Sequence, residues 1–198
     1  MAPEIFPALP IPLIRQPCFF NAPNTSIHHP RLCGEIMSDE LVNFEVGQNA
    51  PDFEAELTDG TTIRLSKILA GGEKVILYFY PKDSTPGCTK QACDFRDNFD
   101  RLKAVGYRVI GVSKDSSKSH SNFINKHNLN FELIVDQDIE LHNLYGVWRE
   151  KMNYGKTYLG VSRSTFVIGL DGNFEFVGYN VRATGHVERL MNELGVES

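Results

Sequence analysis

Lys74-Val75-Ile76-Leu77-Tyr78-Phe79-Tyr80 runs directly into Pro81-Lys82-Asp83-Ser84-Thr85-Pro86-Gly87-Cys88-Thr89-Lys90-Gln91-Ala92-Cys93, and this stretch decides how the chain folds. Its first seven residues are a continuous apolar run rich in aromatic and β-branched side chains. A run without polar alternation fits a strand covered on both faces, as in a sheet flanked by helices. The prolines then end the strand. From Thr89 to Ala104 the apolar positions Ala92, Phe95, Phe99 and Leu102 recur at helical spacing and predict a helix, with Gly106 punctuating its end.

The same reading extends to both sides. Phe53–Leu57 and Thr61–Leu65 flank Asp59-Gly60 and predict a β-hairpin at the domain entrance. Gly71-Gly72 belongs to no phosphate-binding pattern and reads as the turn before the central strand. Tyr107–Val112 and Phe131–Val135 read as further strands, Ser117–His127 and Ile139–Tyr145 as helices. Ser164–Ile168 and Phe174–Val177 flank Asp171-Gly172 as a second hairpin, and Gly185–Leu194 closes the chain as an amphipathic helix. Strands alternating with helices, then a hairpin and a helix, give an α/β class with a central mixed sheet, the arrangement of a thioredoxin-like fold.

The chain has 198 residues, a formal net charge of −5, 41% hydrophobic and 23% charged residues, which is ordinary globular usage. An acidic balance without a clustered basic surface argues against a nucleic-acid partner. No apolar stretch approaches the roughly 18 residues of a membrane span, so no membrane partner is expected. Seven of the ten prolines precede residue 37, so residues 1–36 read as a poorly ordered extension and residues 37–198 as the folded domain. The extension lacks the basic start of a secretory signal and carries only Arg15, Arg31 and Ser26 towards an organelle address. Met37 offers a second start. Four cysteines are too few for a disulfide scaffold, and unpaired thiols suit a reducing, cytoplasmic compartment. His28-His29 near Cys33 lack a fourth ligand, so no metal or other cofactor is expected. His120, His127, His142 and His186 have no metal-site spacing and read as surface or capping residues, and Asp83 as a loop or capping residue. Trp148 and Tyr154 read equally as site-lining or packing residues.

Cys88 falls where the strand hands over to the helix. Free amides and the positive end of the helix dipole favour an anion there, by up to about 2 kcal/mol. The thiolate is the nucleophilic form, so this position suits a reactive cysteine. An inert buried cysteine is the alternative, against which the flanking Thr85-Pro86-Gly87 counts.

At these residues the sequence resembles a known family. Pro81, Thr85 and Cys88 match the PxxxTxxC signature of the peroxiredoxins. The run YFYPKDSTPGCTKQACDFRDN and the block GVWREKMNYGKTYLGVSRSTFVI, from Gly146 to Ile168, are similar to its bacterioferritin-comigratory, or Q-type, branch. The resemblance covers about residues 44–195 and implies the peroxiredoxin variant of the thioredoxin fold. It also implies a peroxidase acting on hydrogen peroxide and organic hydroperoxides. Cys88 would attack the peroxide and become a sulfenic acid. Thr85 and backbone amides at Gly87 and Cys88 would hold the peroxide, Arg163 would stabilise the thiolate and the breaking O–O bond, and Pro81 would shield the sulfur.

Cys93 matches the branch's resolving cysteine, which implies a Cys88–Cys93 disulfide recycled by thioredoxin or a similar dithiol. Five helical residues separate Cα atoms by about 8.6 Å, whereas a disulfide spans at most about 7 Å. The bond therefore requires the helix start to unwind. The alternative for Cys93 is a core-facing helix cysteine beside Phe95 or Phe99. Cys18 or Cys33 as resolver is less favoured. An intramolecular disulfide needs no dimer, so a monomer is expected. The competing functional reading is a peroxide-sensing relay that passes oxidation to a partner protein.

Overall fold

In the computed structural model the residues described are 42–196, apart from 154. They belong to the unit Asp39–Ser198. The expectations for residues 1–36, including Cys18, Cys33, His28 and His29, and for Tyr154 lie outside the described residues.

Chain order begins with the predicted hairpin, β1 (Glu54–Glu56) and β2 (Thr62–Arg64), paired antiparallel. A short helix α1 (Leu65–Ala70) follows and ends at Gly71. The central strand β3 (Lys74–Phe79) then leads to α2 (Pro86–Asp97), α3 (Phe99–Ala104) and β4 (Tyr107–Ser113). Next come α4 (Ser117–His127), β5 (Glu132–Val135) and α5 (Glu140–Leu144). A two-stranded ribbon, β6 (Trp148–Asn153) with β7 (Lys156–Val161), precedes the hairpin β8 (Ser164–Ile168) and β9 (Phe174–Gly178). Helix α6 (His186–Glu193) closes the order.

The five-stranded sheet has the order β5-β4-β3-β8-β9. β3 and β5 run parallel to β4, while β8 is antiparallel to β3 and β9 to β8, so the sheet is mixed, as expected. β3 lies at its centre. Val75, Leu77 and Phe79 face one core with Leu65, Ile68, Leu141, Tyr145 and Phe166. Ile76, Tyr78 and Tyr80 face the other with Cys88, Ala92, Phe95, Phe123 and Leu190. The period of two along a strand thus explains why the run carries no charged residue after Lys74: both faces are covered. Helices α2, α4 and α6 cover the second face. Gly111 of β4 is required there, because a Cβ would meet Leu133 Cδ2 at 2.6 Å and Tyr78 Oη at 2.9 Å.

Three sequence expectations need correction. The helix predicted for 89–104 starts earlier and is two helices. Thr85, extended at φ −82° and ψ 147°, precedes Pro86 at the first helical position, where a missing amide costs nothing. The break comes at Asn98 (φ −106°, ψ 6°), whose side-chain amide donates to Asp94 O at 2.9 Å and competes with the helical ladder. α1 and the β6–β7 ribbon were not foreseen. Finally, His120, His142 and His186 are buried, not surface residues.

His186 opens α6 with its Nε2 2.9 Å from Thr165 Oγ1. Burial, then the charges of Arg189 and Arg163, push its imidazole down to about 4 from an ordinary 6.5. The folded state therefore holds this ring neutral, while the unfolded chain takes up a proton once the pH falls below 6.5. Its contribution is complete above that pH and is lost as the pH drops towards 4, up to about 3 kcal/mol. Urea unfolding at pH 7 and pH 4.5 checks this: the wild type loses more stability across the interval than His186→Gln.

Candidate active site

The site is built where β3 ends. Pro81 terminates the strand, half-buried, and the loop that follows is pinned by a buried carboxylate. Asp83 Oδ1 accepts from Tyr80 Oη at 2.8 Å. Its Oδ2 accepts from Ser119 Oγ at 2.7 Å and lies 2.9 Å from His120 Nδ1. The Asp83 amide donates to Asp115 Oδ2 at 2.8 Å. Burial pushes this carboxyl up, but the hydrogen bonds from His120, Ser119 and Tyr80 outweigh it and hold it below the usual carboxylate range. So Asp83, read from sequence as a loop or cap residue, anchors the loop from inside. The anchoring supports Ser84 in a left-handed conformation, φ 57°, which costs a residue with a Cβ about 1–2 kcal/mol.

Thr85 is the N-cap of α2. Its hydroxyl does not cap the helix; it donates to Lys82 O at 3.0 Å and keeps acceptor capacity. The first helical hydrogen bond runs from Thr89 N to Thr85 O at 2.8 Å. The amides of Gly87 and Cys88 therefore precede the ladder, at the positive end of a twelve-residue helix. Cys88 sits in this first turn, 2% exposed, with its sulfur as a free thiol.

Arg163 reaches this sulfur from the segment between β7 and β8. Its Nη2 lies 3.1 Å from Cys88 Sγ, and its Nη1 donates to Gln91 Oε1 at 2.5 Å. A guanidinium only donates, so it can hold the amide oxygen and an anionic sulfur together with its planar fork. Gly87 lies against the same group: a Cβ there would stand 3.6 Å from Arg163 Nη2. Cys93 lies on α2, partly exposed and also a free thiol. Because α2 is helical throughout Pro86–Asp97, both cysteines sit within one unbroken helix.

The structure thus brings together Cys88, Gly87 and Arg163. It sets Thr85 at the mouth of the helix, Pro81 at the strand end and Cys93 further along α2. Sequence reasoning missed Gln91, fully buried and clasping Arg163, although its spacing of three from Cys88 puts it on the same helix face. It also missed Tyr78, whose buried hydroxyl has no hydrogen-bond partner. Burial raises the Tyr78 phenol far above its ordinary value, with Cys88 the next largest cause in the same direction. Trp148 packs against the first core and carries Lys114 Nζ 5.4 Å from its ring centre, which favours the packing reading.

Residues 46–177 match the model of the AhpC/TSA family. A putative peroxiredoxin bcp of Helicobacter pylori is 46% identical over 154 residues, covering 78% of this chain and all of the relative. The chain belongs to the AhpC/TSA family of peroxiredoxins. Peroxiredoxin Bcp of Bacillus subtilis is 42% identical over 153 residues, 77% of this chain and 96% of that one. Among solved structures, peroxiredoxin Q of Xanthomonas campestris is similar with a TM-score of 0.68 and 37% identity, over 72% of this chain and 89% of that one. A PrxQ variant from Xylella fastidiosa gives a TM-score of 0.72 at 31% identity, over 78% and 97% of the two chains. The Bcp or Q-type branch of the peroxiredoxins and their thioredoxin-like fold are therefore the chain's own. Among the described residues no helix is long and apolar enough to cross a membrane.

Proposed function

We propose that the protein is a thiol-dependent peroxidase in which Cys88 is the peroxide-reactive residue. The observation that carries this reading is Arg163 Nη2 at 3.1 Å from Cys88 Sγ, in the first turn of α2. The thiolate attacks the terminal oxygen of the hydroperoxide and the O–O bond breaks. Sulfur keeps one oxygen as a sulfenic acid, and the other leaves as alkoxide or hydroxide and takes up a proton, giving alcohol or water. Arg163 is placed to stabilise both the starting thiolate and the charge that builds on the breaking bond. Thr85 and the Gly87 and Cys88 amides are the nearest candidates to hold the peroxide oxygens, and Pro81 limits water at the sulfur. One relative's structure is described by its alkyl peroxide reduction activity, which supports organic hydroperoxides as substrates beside hydrogen peroxide.

Cys93 then condenses with the sulfenic acid, releasing water and forming an intramolecular disulfide. The first turns of α2 must unwind for this, because helical spacing holds the two Cα atoms about 8.6 Å apart. A dithiol protein such as thioredoxin restores both thiols. The pair needs no second protomer, and the cycle suits a reducing compartment.

The test is Cys93→Ser in a peroxide assay coupled to thioredoxin, its reductase and NADPH. The expected result is an unchanged first oxidation of Cys88 followed by loss of sustained NADPH consumption. Full turnover by this variant removes Cys93 as the resolving residue.

A further inference from the structure

We propose that Lys151 is a positioning residue for the Arg163–Cys88 pair, an inference that rests on Cys88 being the peroxide-reactive thiol. Lys151 lies on β6 opposite Tyr158 of β7. Its side chain turns back along the ribbon, and Nζ donates to the carbonyl of Val161 at 2.6 Å. Val161 is the last residue of β7, two residues before Arg163. The neighbouring Ser162 amide donates to Val147 O at 2.7 Å, and the Arg163 carbonyl accepts from Val181 N at 2.8 Å. The backbone that presents Arg163 is therefore held on both sides, and the Lys151 ammonium supplies one of the holds. Gly160 lies beside this path: a Cβ there would be in ordinary contact with Lys151 Cδ at 3.6 Å and tight against the Tyr158 ring at 3.2 Å.

The charge matters as well as the hydrogen bond. Burial first, then the Arg163 guanidinium, push the Lys151 amine down, while the Cys88 sulfur pulls it back up. The ammonium thus feels both members of the pair. Replacing the lysine therefore removes one cationic charge that acts on the same sulfur as the Arg163 guanidinium. Lys151 fixed on Val161 O cannot retreat along the ribbon without losing its hydrogen bond. Its hydrogen bond therefore holds the backbone that presents Arg163 to the Cys88 sulfur and to Gln91. The other titratable groups coupled by charge to the pair are Tyr78, which also feels Asp83 and Cys93, and His186, which also feels Arg189.

The experiment compares the wild type with Lys151→Met, Lys151→Arg and Lys151→Gln. It reads the single-turnover rate of Cys88 oxidation by hydrogen peroxide across pH. Lys151→Met is expected to react roughly three- to tenfold more slowly, with its pH–rate profile displaced to higher pH. Lys151→Arg, which keeps both charge and donor, restores rate and profile. Lys151→Gln keeps a donor without the charge, so its profile stays displaced; it also decides the matter if the methionine variant folds poorly. A wild-type profile in Lys151→Met or in Lys151→Gln overturns the proposal while leaving the peroxidase reading intact. A wild type that is itself inert to peroxide overturns the peroxidase reading, and this inference with it.

Discussion

Cys88→Ser is expected to consume peroxide no faster than buffer while keeping the wild-type fold. A serine hydroxyl has almost no anionic form near neutral pH, so the Arg163 fork and the helix start have no nucleophile to act on. The residue is 2% exposed and its sulfur meets an N–H donor at 3.1 Å. An oxygen accepts from that donor at least as well, so the stability change should stay within about 1 kcal/mol. Peroxide consumption by the purified variant, with circular dichroism as the check on folding, measures both. Residual turnover above background would place the chemistry on another thiol.

Arg163→Met is expected to lower the second-order rate with hydrogen peroxide by about two to three orders of magnitude, the usual loss when a donor aimed at developing charge is removed. Methionine fills similar space, but Gln91 Oε1 loses its donor inside the core, beside an Nε2 that already lacks a partner. An unmet buried acceptor costs about 1–3 kcal/mol, so this variant should also melt earlier. Arg163→Lys should recover only part of the rate. A point charge cannot bridge the sulfur and the amide oxygen as the guanidinium fork does. Stopped-flow oxidation under limiting peroxide separates this first step from resolution.

Those two residues also show what the sequence can and cannot tell. Cys88 is legible locally: a buried-strand run, a proline-glycine junction and a helix start are neighbours in the chain. Arg163 is not, because it lies seventy-five residues further on, and only the sheet pairing of β3 with β8 brings the two together. Without the resemblance, Arg163 reads as a surface ion-pairing residue. Helix α4 has the bounds its sequence predicts, Ser117–His127, and the structure shows its ends set by the Ser116 cap and by Asn128 in a left-handed conformation. The β6–β7 ribbon was hidden for the opposite reason. Its strands expose Met152, Tyr158 and Leu159 among charged residues, so no face alternates cleanly. Lys151 was hidden with it.

The buried histidines follow the same logic. Histidine carries no periodic signal, and its burial depends on an acceptor supplied by another element. Asp83 with His120, and Asp136 with His142, meet only because α4 and α5 fold back beside strand ends. The break at Asn98 is local, an i to i−4 side-chain bond, yet equally silent. An apolar pattern at Ala92, Phe95, Phe99 and Leu102 runs straight across it, because both helices pack on the same face of the sheet.

The central claim is that peroxide oxidises Cys88 and that Cys93 captures the product. One equivalent of hydrogen peroxide added to the fully reduced protein, followed by intact mass and peptide mapping, tests it most directly. The account predicts a loss of two hydrogens, with the peptide carrying Cys88 linked to Cys93. Oxygen retained on Cys88, with Cys93 still a free thiol, would contradict the resolving step. An unmodified Cys88 would contradict the account as a whole.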